Sequence, residues 1–155
     1  MHETVEARVT HQFPMAADRV YDAWLDPAQV RQWLAGALRS HGLPGEIVRV
    51  EIDARVGGSF FFSDRRPQME ARHWGQYLVL DRPRQIQFTW IVDESEAEQP
   101  SQVTLTLHPT GTGCTADLVH SMNAAWRDYI PQTQAGWSRM LQHVEQLLAS
   151  APKVN

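Results

Sequence analysis

The sequence is poor in cysteine and contains no long apolar run. Cys114 is the only cysteine among 155 residues, so the chain can form neither an internal disulfide nor a thiolate metal cluster. No stretch approaches the roughly 20 apolar residues that cross a bilayer, and the mixed segment 1–10 is unlike a secretory signal. We therefore expect no membrane span and a reducing, cytoplasmic location.

The sequence also lacks an excess of basic charge. It carries 14 lysine and arginine residues against 18 aspartate and glutamate residues, for a net charge of −4. Nucleic-acid phosphates usually attract a strongly basic face, so this balance disfavours a nucleic-acid partner. A length of 155 residues with 43% hydrophobic residues predicts one folded domain over 1–155.

Short motifs of metal, nucleotide and nucleophilic sites are missing as well. No two of the seven histidines stand three or four residues apart, the spacing that places two ligands on one helical face. No serine lies in a G-x-S-x-G elbow, and the glycines at 57–58 and 111–113 lack the lysine of a phosphate loop. We expect no metal, no cofactor and no catalytic residue of these kinds.

Alternation of apolar and polar residues predicts about seven strands. The alternating segments are 5–13, 47–54, 72–80, 85–92, 102–107 and 115–122, and the segment 59–63 is predicted as a strand because it is dense in phenylalanine. Successive side chains of a strand point to opposite faces, so each segment has one apolar face to bury. Short turns between the segments suit antiparallel neighbours.

Helical periodicity predicts two short helices and one long helix. The first covers 17–25, and the second opens at Asp26-Pro27, a cap followed by proline, and ends before Gly36. The segment 35–45, with three glycines and a proline, is interpreted as a loop. The long helix starts at Pro131 and spans about 20 residues.

This element order predicts an α+β fold in which a curved antiparallel sheet wraps around the long C-terminal helix. Only that helix is long enough to cover the apolar face of the sheet. Bulky aromatic side chains between sheet and helix then either fill the gap or line a cavity.

Four segments resemble the START-like (SRPBCC) helix-grip superfamily and, within it, bacterial proteins similar to the activator of the heat-shock protein 90 ATPase. They are 17–23 with Asp26-Pro27 and Trp33, 53–58, Gly75 followed by 83–90, and Gly136-Trp137 leading into Leu141. In the turn, Gly57-Gly58 permits positive φ, and Gly136 is expected to let the long helix approach the sheet. The resemblance implies a helix-grip domain with a ligand cavity. It transfers neither a catalytic motif nor a chaperone role.

Six tryptophans in 155 residues are the unusual feature of the composition. Five of them are candidates for an aromatic ligand cage, and each also fits a plain core. Trp24 is assigned to the core.

His120 lies on an otherwise apolar strand face, where it fits a ligand contact, a base or a satisfied core histidine. Gln76, on the predicted face of Trp74 and Leu78, is a weaker polar candidate. The full set of predicted ligand-binding residues is Trp33, Phe60, Phe62, Trp74, Gln76, Leu78, Phe88, Trp90, His120, Met122, Trp126, Trp137, Met140, Leu141 and Val144.

The leading functional hypothesis is a binding protein without catalytic activity. It would hold a small apolar or aromatic molecule, such as a lipid or a polyketide-like compound, between sheet and long helix. One alternative is a cyclase or aromatase that uses the same cavity, although the inward face offers few acid–base residues. The other is a module that contacts a chaperone through its surface, which no residue pattern supports. A homodimer through sheet edges or exposed aromatic side chains stays open.

Overall fold

The structure, a computed structural model, describes residues 3–150. Its strands are β1 (Thr4–Phe13), β2 (Glu46–Ile52), β3 (Ser59–Arg65), β4 (Glu70–Asp81), β5 (Gln85–Trp90), β6 (Ser101–Thr110) and β7 (Gly113–Asn123). Its α-helices are α1 (Ala17–Leu25), α2 (Pro27–Ser40) and α3 (Ile130–Ser150). Two short 3-10 helices cover Glu94–Glu96 and Ala124–Tyr129.

The strands form one antiparallel sheet in the order β1-β7-β6-β5-β4-β3-β2. One face of this sheet packs on α3, where Leu105 and Leu118 of the sheet and Leu141 and Val144 of the helix are fully buried. The predicted α+β helix-grip fold is therefore confirmed, with seven strands, two short helices after β1 and a long C-terminal helix of 21 residues. Among residues 3–150, no helix combines the length and the apolar character needed to span a membrane.

The predicted end of α2 before Gly36 is wrong. Asp26 caps the helix as expected, since its side chain accepts a hydrogen bond from the backbone N–H of Ala28 at 3.2 Å. The helix then continues to Ser40, which shortens the predicted loop 35–45 to residues 41–45. A Cβ at Gly36 would lie 2.7 Å from Nδ1 of His143, so this glycine permits α2 to pack closely against α3.

Three other glycines of the fold differ from Gly36 in their surroundings. A Cβ at Gly136 would have no atom within 4 Å, so the expectation that this glycine permits a close approach of α3 to the sheet is wrong. Gly75 permits a different close approach, between β4 and β5, because a Cβ there would lie 2.0 Å from the backbone oxygen of Thr89. The expected positive φ in the turn between β2 and β3 is confirmed at Gly57, with φ of 85°.

Candidate functional site

Aromatic side chains fill most of the space between the sheet and the helices. The ring centroids of Trp24 and Trp33 are 4.8 Å apart, and those of Trp90 and Trp137 are 5.0 Å apart. They enclose a small space, the inner cavity, lined by Trp24, Leu25, Trp33, Leu34, Phe60, Phe62, Tyr77, Ile86, Phe88, Trp90, Trp137 and Met140. Its volume of about 20 Å³ suffices for one water molecule.

A much larger space, the outer groove, opens at the end of the sheet where β5 finishes and β6 begins. Its volume is about 680 Å³. Trp90, Trp137 and Met140 line both the outer groove and the inner cavity, so these three side chains form the partition between them. The remaining lining residues are His73, Val92, Asp93, Ser95, Glu96, Gln99, Ser101, His120, Met122, Asn123, Trp126, Tyr129, Thr133 and Gly136.

A chain of hydrogen bonds holds the partition in place. The indole Nε1–H of Trp137 donates to Nδ1 of His120 at 3.0 Å. Nε2 of His120 lies 2.8 Å from Oγ of Ser101, whose hydroxyl donates to the backbone oxygen of Trp90 at 2.7 Å. Because an indole N–H can only donate, Nδ1 of His120 is the acceptor and Nε2 carries the proton. The chain thus connects α3, β7, β6 and β5, and it holds the ring of Trp137 and the main chain of Trp90.

The same contacts determine what His120 can do. Its side chain faces inward as predicted and is only 7% exposed. Burial lowers the pKa of His120 to about 4, so the ring is neutral near pH 7. With both nitrogens occupied by Trp137 and Ser101, the imidazole has no free atom with which to take a substrate proton. His120 is a satisfied, positioning histidine at the wall of the groove.

His73 is a second histidine of the groove, and the sequence analysis missed it. Its ring stacks on Trp90, with centroids 5.0 Å apart and planes inclined by 27°. Burial lowers the pKa of His73 to about 4, although the nearby carboxylate of Asp64 acts in the opposite direction. The neutral ring can both donate and accept a hydrogen bond toward the groove that it lines. The signal in the sequence was the set of alternate β4 positions that contains Ala71 and Tyr77, both buried.

Two exposed aromatic side chains form part of the rim of the groove. Trp126 is 47% exposed and Tyr129 is 52% exposed, and their ring centroids are 5.4 Å apart. Both belong to the 3-10 helix that leads into α3. Across the groove lie Asp93 and Glu96, which cap the other 3-10 helix through a reciprocal capping box. The rim therefore combines exposed apolar surface with negative charge.

The residues of the site, and all of the fold except β1 and the last residue of α3, lie within residues 14–149, which match the family model described as "Activator of Hsp90 ATPase homolog 1-like protein". This chain belongs to that family. The resemblance stated from the sequence is thereby confirmed. No curated protein matches the sequence significantly.

Solved structures from several bacteria share the family fold. A Chromobacterium violaceum protein is 25% identical, with a TM-score of 0.71 over 94% of this chain and 96% of its own. A Rhodobacter sphaeroides protein is 18% identical, with a TM-score of 0.77 over 96% and 93% of the two chains. A Staphylococcus epidermidis protein is 20% identical, with a TM-score of 0.76 over 100% and 96%. These similarities support the fold.

Most of the predicted site residues in this family member lie around the two spaces. Those on the inner cavity are Trp33, Phe60, Phe62 and Phe88, those on the outer groove are His120, Met122 and Trp126, and those on both are Trp90, Trp137 and Met140. Leu141 and Val144 are fully buried in the core and line neither space. Trp24, assigned to the core, is buried as expected and also lines the inner cavity.

The expected inward orientation of Trp74 and Gln76 is wrong. Trp74 pairs with Phe61 across the β3–β4 ladder, while the neighbouring His73 stacks on Trp90 at the inner face. Successive strand residues face opposite ways, so Trp74 and Gln76 lie on the outer face, where they line a separate surface depression. Leu78 lies at the bulge after Tyr77 and lines neither the inner cavity nor the outer groove.

Proposed function

We propose that this protein binds a small apolar or aromatic molecule, such as a lipid or a polyketide-like compound, between its curved sheet and α3. The observation that carries the proposal is the outer groove of about 680 Å³ with Trp90 and Trp137 in its wall. Binding sites for small molecules commonly measure about 300–1,000 Å³ and combine apolar walls with a few placed polar groups. The body of the ligand would lie in the groove rather than in the inner cavity, which holds only about 20 Å³.

The side chains around the groove suit such a ligand. Trp90 and Trp137 offer ring faces to the groove, and the hydrogen-bond chain holds the Trp137 ring and the main chain of Trp90 in position. Trp126 and Tyr129 expose apolar surface, and covering this surface would contribute about 25 cal/mol per Å². His73 would orient the ligand through a hydrogen bond from a neutral ring.

A binding role also agrees with the state of His120. A general base needs a nitrogen within reach of the proton that it removes. In this chain both His120 nitrogens already have partners in Trp137 and Ser101. The histidine instead fixes Trp137, and this favours binding over catalysis as the task of the groove.

The test is a titration of the purified protein with 2-acetylnaphthalene, a flat aromatic ketone, in which binding is measured by isothermal titration calorimetry. Saturable one-to-one binding is expected. Trp126→Ala should weaken it several-fold, because the variant removes apolar contact area at the rim of the groove. Trp74→Ala is the matched control, since it removes a tryptophan from the outer face of the sheet. No saturation by 2-acetylnaphthalene, or equal losses of affinity in the two variants, would contradict the proposal.

A further inference from the structure

One indole in the inner cavity has no hydrogen-bond partner. Nε1 of Trp24 is buried, the residue is only 6% exposed, and no acceptor in the described part of the chain lies within reach of that nitrogen. The two neighbouring indoles are satisfied: Trp33 donates to the backbone oxygen of Ala23 at 2.9 Å, and Trp137 donates to His120 at 3.0 Å. Trp24 thus differs from its neighbours in the same aromatic cluster.

The inner cavity, which Trp24 with its unpaired Nε1–H lines, lies beside the outer groove where we propose that the ligand binds. A buried donor without an acceptor is energetically costly, and most buried polar groups in proteins are paired. The inner cavity that Trp24 lines shares Trp90, Trp137 and Met140 with the wall of the outer groove. The Trp137 ring is held by a hydrogen bond and the Trp90 ring by ring contacts with His73 and Trp137, whereas Met140 has a flexible, unbranched side chain that can change rotamer.

We propose that the molecule bound in the outer groove carries a hydrogen-bond acceptor, a ketone, quinone or ether oxygen, that passes Met140 and accepts from Nε1–H of Trp24. This inference rests on the proposed function and narrows its ligand class to flat molecules with such an oxygen at one edge. Pure hydrocarbons of the same shape would leave the indole unsatisfied. Discrimination would then arise from the unpaired indole donor of Trp24 in a cavity lined mostly by apolar side chains.

The experiment compares two ligands of nearly equal shape, 2-acetylnaphthalene and 2-ethylnaphthalene, which differ by the ketone oxygen. The ketone should bind the unaltered protein roughly fivefold more tightly, the order of one neutral hydrogen bond. Trp24→Phe should reduce this ratio to about one while the hydrocarbon still binds. Trp33→Phe is the matched control: it removes an indole from the same cavity, but one whose N–H is already paired. In this variant the ratio should persist.

A second measurement does not depend on the folding of either variant. In the ¹⁵N-labelled unaltered protein, the ketone should shift the Trp24 indole N–H resonance downfield, and the hydrocarbon should not. Equal dissociation constants for both ligands, or an unmoved Trp24 resonance at saturation with the ketone, would overturn this inference and leave the proposed function standing. If neither ligand binds at all, the proposed function and the inference both fail.

Discussion

The indole nitrogen of Trp137 lies 3.0 Å from Nδ1 of His120 and fixes both the tautomer and the orientation of that imidazole. Through Ser101 the same chain reaches the backbone oxygen of Trp90. One tryptophan of the groove wall is therefore held by its ring and the other by its main chain. A polar chain inside an apolar interface specifies a single arrangement, because any alternative leaves buried groups unpaired.

Stability should fall as the solution becomes acidic. Burial lowers the pKa of His73 and of His120 to about 4, while a histidine in an unfolded chain titrates near 6.5. At pH values between about 4 and 6.5, these two histidines bind protons in the unfolded chain but not in the folded chain. The free energy of unfolding should thus be constant above about pH 6.5 and decrease toward pH 4, by up to about 3 kcal/mol for each histidine. Urea unfolding at a series of pH values measures this decrease.

The pH effect can be assigned with two variants. His120→Gln removes one buried titrating group, so the decrease between pH 6.5 and 4 should become smaller. His108→Gln removes an exposed histidine and should leave the decrease unchanged. An NMR titration that placed the pKa of His120 near 6.5 would contradict the prediction directly.

Ser101→Ala should destabilise the fold more than an ordinary loss of a strand hydroxyl. The change leaves Nε2 of His120 without its acceptor and the backbone oxygen of Trp90 without its side-chain donor. We expect a loss of about 1–2 kcal/mol in the free energy of unfolding. Ser59→Ala, at an exposed strand position, should stay within about 0.5 kcal/mol of the unaltered protein. Equal effects of the two substitutions in urea unfolding would argue against the hydrogen-bond chain.

Two glycine-to-alanine changes in helices should have opposite signs. Alanine normally stabilises a helix interior by up to about 1 kcal/mol relative to glycine. Gly136→Ala should show this gain, because its Cβ would have no atom within 4 Å. Gly36→Ala should destabilise instead, because its Cβ would lie 2.7 Å from Nδ1 of His143.

Thermal unfolding of both variants measures the difference. Adding His143→Ala to Gly36→Ala should restore most of the loss, since it removes the ring that the new methyl group meets. A stabilised Gly36→Ala protein would show that α2 and α3 do not pack as described.

The sheet and the long helix could be predicted because local periodicity determines them. The inward face of β7 follows from Ala116, Leu118 and His120 at every second position, and the structure confirms that all three are buried. Alternation alone does not decide which face of a strand is inward when both carry apolar groups. In β4, Trp74 is the larger apolar residue, yet the set containing Gly75 and Tyr77 lies on the inner face of the sheet.

The outer groove could not be predicted from local patterns. Part of its wall comes from the 3-10 helices Glu94–Glu96 and Ala124–Tyr129, which are too short to show an amphipathic repeat in the sequence. The prediction that α2 ends before Gly36 failed for a related reason. A glycine in a helical pattern signals either an end or a close contact, and only the position of His143 in the folded chain decides between them.

Anionic ligands should bind the outer groove more weakly than neutral ones. Asp93 and Glu96 contribute carboxylates to its wall, and none of the described side chains that line it is a lysine or an arginine. A hydrogen bond from the backbone N–H of Ser95 lowers the pKa of Asp93, so this carboxylate is charged at neutral pH.

We expect 2-naphthoate to bind at least several-fold more weakly than 2-acetylnaphthalene at low ionic strength, and we expect this difference in affinity to narrow with added salt. Asp93→Asn with Glu96→Gln should narrow it too, without changing the affinity for the ketone, because both amides can still accept the capping hydrogen bonds. Equal affinities of naphthoate and ketone for the unaltered protein would show that these carboxylates do not face the ligand.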